Sequence, residues 1–515
     1  MKTRSIHPRL DLYGGTMDRN TANNFSGYWS VPVWVRTLVF CGIALCAATP
    51  RASHGQAVGT EAAPVAVVYV DCTATSRGNG TAARPYWRIT DALEKARALR
   101  RGSTGRITIR VAAGVCSGNF ETQPTGQETR PPELLPLVLN VPDLTLHGAG
   151  IMAYTDGLPI ALRTGTATTV TVDTPRLGVF NNTVIYVGPT TDGGRSDGTV
   201  IEGLEIDDAF NSYYGMFITR TQRLTIHGNV VEHVNWGAMV GSESSGRIVG
   251  NVVHDGFPGM LFAAGSASSP SHLYIENNTV ANNNDGVLFF GTSIFTEHLD
   301  MGANQLAELP YPINPTASQM GDHLEVEFAG NEVSNCEVGL RLMILGASKY
   351  PYAQTGNISI RIHDNRFIDD FIYPFAIDEG YVFRSTTAYW TNPDPNDFPA
   401  GYLGLLAAPF ITHGPFDGPY SGTVSAVFDH NVWQNPNLAP FAPAYLSFSG
   451  ITVYDPATGA LDPSQVALFP YMRNSRLTLV DHDGLFSQPG VIRDDLRLYD
   501  PLDGAVLLNQ TRLRR

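Results

Sequence analysis

Leu224-Thr-Ile-His-Gly-Asn-Val-Val-Glu-His-Val-Asn-Trp-Gly-Ala-Met-Val240 and Gly246-Arg-Ile-Val-Gly-Asn-Val-Val-His-Asp-Gly-Phe-Pro-Gly-Met-Leu-Phe262 read as two copies of one pattern. Each carries an apolar residue (Ile226, Ile248), an asparagine three residues later (Asn229, Asn251) and a glycine eight residues after that (Gly237, Gly259). The spacing returns at Ile275, Asn278 and Gly286, and again at Phe328, Asn331 and Gly339. Leu204, Asp207 and Gly215 keep it one turn earlier, while Asn365 and Asn431 read as later copies without the glycine. The step from Asn229 to Asn251 is 22 residues. A fixed period of this size signals a solenoid.

The repeat has a physical reading. Three short strands and their bends need roughly 20 residues per turn at about 3.3 Å rise each. One turn cannot bury its own apolar line, but stacked parallel turns bury it and pair their backbones. An asparagine at the same corner of each turn can bond the next one, which satisfies a buried amide. Glycine then allows a bend where a Cβ would clash.

On these residues the chain resembles the right-handed parallel β-helix proteins of the pectin-lyase-like superfamily. Its opening also resembles theirs: Val68-Tyr-Val-Asp71, Gly78-Asn-Gly80, Pro85, and Ile89-Thr-Asp-Ala-Leu-Glu-Lys-Ala96. The resemblance spans about Val68 to Phe383, with an echo to Gln434. It implies an all-β solenoid with an N-terminal capping helix and long loop insertions. It is specific for fold, since one scaffold hosts many chemistries. The expected organisation is a leader over residues 1–57, the β-helix over 58–434, and irregular strands with a cap over 435–515.

The net charge is −14, and removing residues 1–57, with six basic and two acidic side chains, leaves −18. Such a body repels nucleic acid and anionic membranes. An acidic glycan would need a bound cation or a local basic spot. Thr37 to Ala48 is an apolar run of 12 residues after Arg36. It is short of the roughly 20 residues a membrane span needs, so it reads as an export signal cleaved near Ala57. The expected location is secreted or periplasmic, with no membrane attachment after cleavage. Cys72 and Cys116 end early strands and read either as a disulfide or as two buried thiols, while Cys336 reads as free. Ile89 to Arg100 reads as a helix burying Ile89, Ala92, Leu93 and Ala96, a plug for the open end of the stack.

The candidate chemistry lies on the corners. By the repeat count, Tyr214, Trp236 and Phe257 form a column that continues into Asp285. An aromatic ladder with a spacing of about 4.8 Å suits sugar rings. Beside it run His233, Asp255 and Asn282, with Glu232 and His254 just before. Asp255, Asp285, His233 and His254 are therefore candidate acids and bases for hydrolysis or elimination. The plain alternative is that corner Asn and Asp bond their own backbone and corner aromatics pack on one another. Arg341 replaces an apolar outward residue, and Lys349 follows it. The two form a lyase candidate, against the plain reading of a solvated arginine paired with an acid such as Glu337. Glu325 and Glu327 face the same side of one strand and read as a partial Ca²⁺ site, or as an ion pair with Arg361 one turn on. The insertions Ser293 to Asp322 and Ser385 to Tyr420 overhang the repeat, the second carrying Trp390 as a further sugar contact. Together these readings point to a monomeric, exported, polysaccharide-active enzyme, a lyase or glycoside hydrolase acting on an acidic glycan in a groove. The alternatives are a non-catalytic glycan-binding or surface protein and a uronate C5-epimerase.

Overall fold

The computed structural model describes residues 66–119, 132–150, 152–155, 158–161, 167–172, 183–207, 211–212, 214–234, 237–256, 258–265, 269–290, 323–344, 357–384, 423–435, 440, 442–454, 476–494 and 512–514. All of them belong to one unit, Pro64–Pro393 with Ala400–Arg515. The other unit, Met1–Ala63 with Asp394–Pro399, lies outside the described residues, and so does the expected export signal.

The chain winds through three faces in each turn, and strands on each face pair in parallel with the turns before and after. The first face runs from Ala66–Val70 through Val200–Glu202, Ser271–Glu276 and Leu324–Ala329 to Arg476–Asp481 and Arg512–Arg514. The second face is built of short strands: Leu204–Asp207, Val230–Glu232, Val252–His254, Thr279–Ala281, Glu332–Ser334, Arg366–Ile368 and Val432–Gln434. The third includes Thr183–Val187, Pro258–Ala263, Asp285–Phe290, Val338–Ile344, Tyr373–Arg384 and Tyr445–Tyr454. The long strands Tyr214–His227 and Gly237–Val249 run from the third face round to the first, with a register shift between Thr221 and Leu224.

Alternation puts one residue in two into the lumen. Ile226, Ile248, Ile275 and Phe328 enter from the first face, Val231, Val253, Val280 and Val333 from the second, and Met239, Met260, Val287 and Leu340 from the third; all are fully buried. Each such side chain contributes about 1.5–3 kcal/mol relative to exposure.

The asparagine line is a continuous ladder. The side-chain amide of Asn229 donates to Oδ1 of Asn251, which donates to Asn278, then Asn331, Asn365 and Asn431, all at 2.9–3.0 Å. Each amide also donates to a carbonyl of the preceding turn, as Asn251 does to Ile226. Asp483 ends the line by accepting from the Asn431 backbone and side chain. At the other end, Leu204 N–H donates to Asn229 Oδ1. Leu204, not Asp207, therefore occupies the ladder position of its turn. The corner after it is longer, and the Asp207–Gly215 spacing matches the repeat by coincidence.

The second turn also departs from the count. Tyr214 pairs laterally with Gly237, and Met216 with Met239. The glycine row is thus Gly215, Gly259, Gly286 and Gly339, with Ala238 in the second turn. At Gly286 close approach requires glycine: a Cβ there would lie 2.6 Å from the Gly339 carbonyl oxygen.

The helix spans Ile89–Arg100 and buries Ile89, Asp91, Ala92, Leu93 and Ala96. Glu133 supplies its N-terminal cap, accepting from Ile89 N–H at 2.6 Å and Thr90 N–H at 2.9 Å. Cys72 and Cys116 are joined as a disulfide, and Cys336 is free and buried. The stack continues past Gln434, since Tyr445–Tyr454, Arg476–Asp481, Ile492–Asp494 and Arg512–Arg514 all add parallel strands. Near this end Trp433 stacks on Phe367 at 4.2 Å, and Phe486 packs on Phe375 and Phe428.

Candidate functional site

Three neighbouring turns of the second face carry a cluster of acids and histidines. Ile206, Val231 and Val253 point into the core, so the residue after each points out: Asp207, Glu232 and His254. These three lie side by side in register. The next residue of each later turn is a left-handed corner, with φ of 55° at His233, 56° at Asp255, 57° at Asn282, 55° at Asn335 and 56° at Asp369. Asn, Asp and His tolerate that conformation better than most residues. The corners aim His233 and Asp255 back over Asp207, Glu232 and His254.

The contacts are specific. His233 Nδ1 lies 2.9 Å from Asp207 Oδ1 and 3.9 Å from Glu232 Oε2. His254 Nε2 lies 2.9 Å from Glu232 Oε2, and its Nδ1 lies 2.8 Å from Asp255 Oδ2. His233 Nε2 stands 3.7 Å from Asp255 Oδ2, closing the ring of contacts. The Glu232 side chain is fully buried, while the other four are 21–37% exposed. Burial works against the His254 cation, but hydrogen bonds to Asp255 and Glu232 outweigh it and raise the imidazole to about 9. The arrangement can hold and pass protons at a partly open surface.

The other expected site residues lie as follows. Asp285 sits on the third face, in the column of Pro258 and Val338, with a contact of 3.4 Å to Arg341. Both are covered, at 6% and 8% side-chain exposure. Arg341 belongs to an outward row of Tyr186, Phe217, Val240, Leu261 and Leu288 that is itself buried. The expected solvent-facing arginine is therefore a buried ion-pair partner. Tyr214 is also covered, and packs on Phe217 with ring centroids 5.3 Å apart. The Tyr214 column runs through Gly237, Pro258 and Asp285. Trp236, Phe257, Lys349 and Trp390 lie outside the described residues.

Glu327 accepts from His363 Nε2 at 2.6 Å and from its lateral neighbour Arg361 at 3.4 Å, and Glu325 stands 3.7 Å from His272. The Glu327–Arg361 contact is the cross-strand ion pair given as the alternative to a calcium cradle. Asp207, read from the repeat count as the anchor of its turn, and Glu232, named there only beside the candidate acids and bases, are not among the expected site residues. A lateral alignment anchored on Leu204 brings them to His254.

The sequence model of a family described as "Right handed beta helix region" matches residues 170–304. This chain is a right-handed parallel β-helix protein. No curated protein matches the sequence. Among solved structures it is similar to ORF18 of Geobacillus virus E2, at 11% identity and a TM-score of 0.32 over 75% of this chain and 61% of that one. The chain thus spans less than two thirds of that relative. It is similar to the DFA-IIIase of Arthrobacter chlorophenolicus A6 in complex with GF2, at 12% identity and a TM-score of 0.31 over 80% and 94% of the two chains. It is also similar to the A-module of the mannuronan C-5 epimerase AlgE4 of Azotobacter vinelandii, at 11% identity and a TM-score of 0.33 over 87% and 97%. Likeness at this level says nothing of chemistry.

Proposed function

We propose that this right-handed β-helix protein is an exported polysaccharide-active enzyme, a lyase or glycoside hydrolase for an acidic glycan. The observation that carries the reading is the ring of contacts among Asp207, Glu232, His233, His254 and Asp255 on an accessible face of a rigid stack. Proton transfer at a sugar ring needs an acid and a base within hydrogen-bond reach and held in place, and rigid strands hold them better than loops. His233 and Asp207 are the groups we place nearest the substrate; His254 and Asp255 form the wall beside them. A ribbed surface repeating at about 4.8 Å suits an extended polymer better than a small metabolite. The apolar run Thr37 to Ala48 and the Cys72–Cys116 disulfide favour an oxidising, exported setting.

The test is incubation of the purified chain with a panel of uronans and neutral glycans. A rise in unsaturated-uronide absorbance identifies a lyase, and new reducing ends without it identify a hydrolase. His233→Ala is expected to lower turnover at least about 100-fold with the fold retained. Binding without turnover would favour the glycan-binding alternative, and neither binding nor turnover on any glycan would overturn the proposal.

A further inference from the structure

Two groups of metal-type donors converge among the described residues: Cys72, Cys116 and Glu133, and Asp207, Glu232 and His233. The first is taken up by the disulfide and the helix cap. We propose that the second holds a divalent transition-metal ion of the zinc class. The position rests on this geometry alone, and only its role rests on the function proposed above.

The donor atoms of Asp207, Glu232 and His233 all lie within 4.8 Å of one another, and His233 Nδ1 is 2.9 Å and 3.9 Å from the two carboxylates. Ligands at about 2.0–2.2 Å in a tetrahedron stand roughly 3.3 Å apart, so small side-chain shifts bring all three onto one ion. Two oxygens and one imidazole nitrogen suit zinc or its neighbours, whereas calcium wants six to eight oxygens. The scaffold presets the set, because Asp207 and Glu232 are lateral neighbours and His233 follows Glu232 directly. A second layer is present as well. His254 bonds Glu232 and is itself held by Asp255, the kind of support that orients ligating carboxylates.

Charge points the same way. Three carboxylates face two imidazoles, so the five groups sum to −1 even with both imidazoles charged, in a body that is already acidic. A cation there neutralises buried Glu232 and reverses the local field for an anionic sugar. Three protein ligands leave one position open on the exposed side, as in zinc sites that act on a ligand.

The experiment uses the untagged, chelator-treated full chain and equilibrium dialysis against zinc, with metal counted per chain. One zinc per chain is expected, with affinity at least about tenfold lower in Asp207→Asn and in His233→Gln. His272→Gln, on another face, should leave it unchanged. Glu232 is buried and its replacement risks the fold, so the two partly exposed ligands decide. No zinc uptake, or equal uptake by Asp207→Asn and His233→Gln, would overturn the site. Calcium binding tighter than zinc at the same residues would overturn the metal class. Zinc bound without action on any glycan would refute the proposed function and leave the metal site standing; turnover in a chain that binds no metal would do the reverse.

Discussion

The Asn251 side chain donates to Oδ1 of Asn278 at 3.0 Å across 27 residues of sequence, and the same oxygen accepts the Asn251 backbone N–H at 2.9 Å. One carbonyl oxygen thus fixes both the backbone and the side chain of the turn before it. Its own amide does the same work one turn on, with Asn331. The ladder is therefore cooperative along the stack, and buried amides that lose a partner keep their full desolvation cost.

Asn251→Ala is expected to destabilise the protein by about 1–3 kcal/mol or more, because Asn229 loses an acceptor and Asn278 a donor together. Thermal or denaturant unfolding measures it. A loss no larger than that from an exposed Asn→Ala change, such as Asn357→Ala, would show that the ladder is incidental.

Gly286→Ala places a Cβ 2.6 Å from the Gly339 carbonyl and 2.7 Å from Val333. Backbone of the next turn cannot yield as a flexible side chain would, so about 1–3 kcal/mol of destabilisation is expected. Gly102→Ala, whose nearest atom would be 4.0 Å away, is the control and should be close to neutral.

Much of this was readable from the residue order. The ladder, the helix Ile89–Arg100 with its buried face and the lumen-facing residues obey one period, since buried positions tolerate few residue types. What the repeat count could not see was corner length. The corner after Leu204 and that between Asn229 and Ala238 are longer than those of the next three turns, so counting from a fixed spacing misplaces Asp207 and Gly237. Only lateral pairing, Asp207 with Glu232 and Glu232 with His254, assembles the cluster. Likewise Arg341 looked exposed because alternation says which way a side chain points and not what covers it. The strands expected beyond Gln434 read as irregular because intervening segments separate them from their parallel partners in sequence.

Asp370 makes a pH prediction. It is fully buried, and its Oδ1 accepts the Cys336 N–H at 3.0 Å, as Asn283 does for Gly256 at 2.7 Å. Burial, partly offset by the Cys336 N–H and reinforced by Asp369, pushes its carboxyl well above the ordinary carboxylate range. An acid whose folded pKa is raised binds its proton more tightly in the native state. Stability is then greatest below the unfolded carboxylate pKa and falls as pH rises toward the folded value. Asp370→Asn, which copies the neutral form, is expected to stabilise the protein at pH 8 and to change little at pH 4. Unfolding midpoints at the two pH values test this, and an equal shift at both would refute it.

Arg341→Ala separates structure from chemistry on the third face. The guanidinium lies 3.4 Å from Asp285, and both side chains are covered. Removing the cation leaves a carboxylate in a site built around a positive neighbour, a change that costs about 3–5 kcal/mol in comparable buried pairs. A large loss of stability is therefore expected from Arg341→Ala, whatever happens to turnover. Arg341→Met with Asp285→Leu, which removes both charges and keeps volume, should recover most of that loss. If instead the single variant unfolds at the wild-type midpoint while activity disappears, the pair belongs to the working surface and Arg341 contacts substrate.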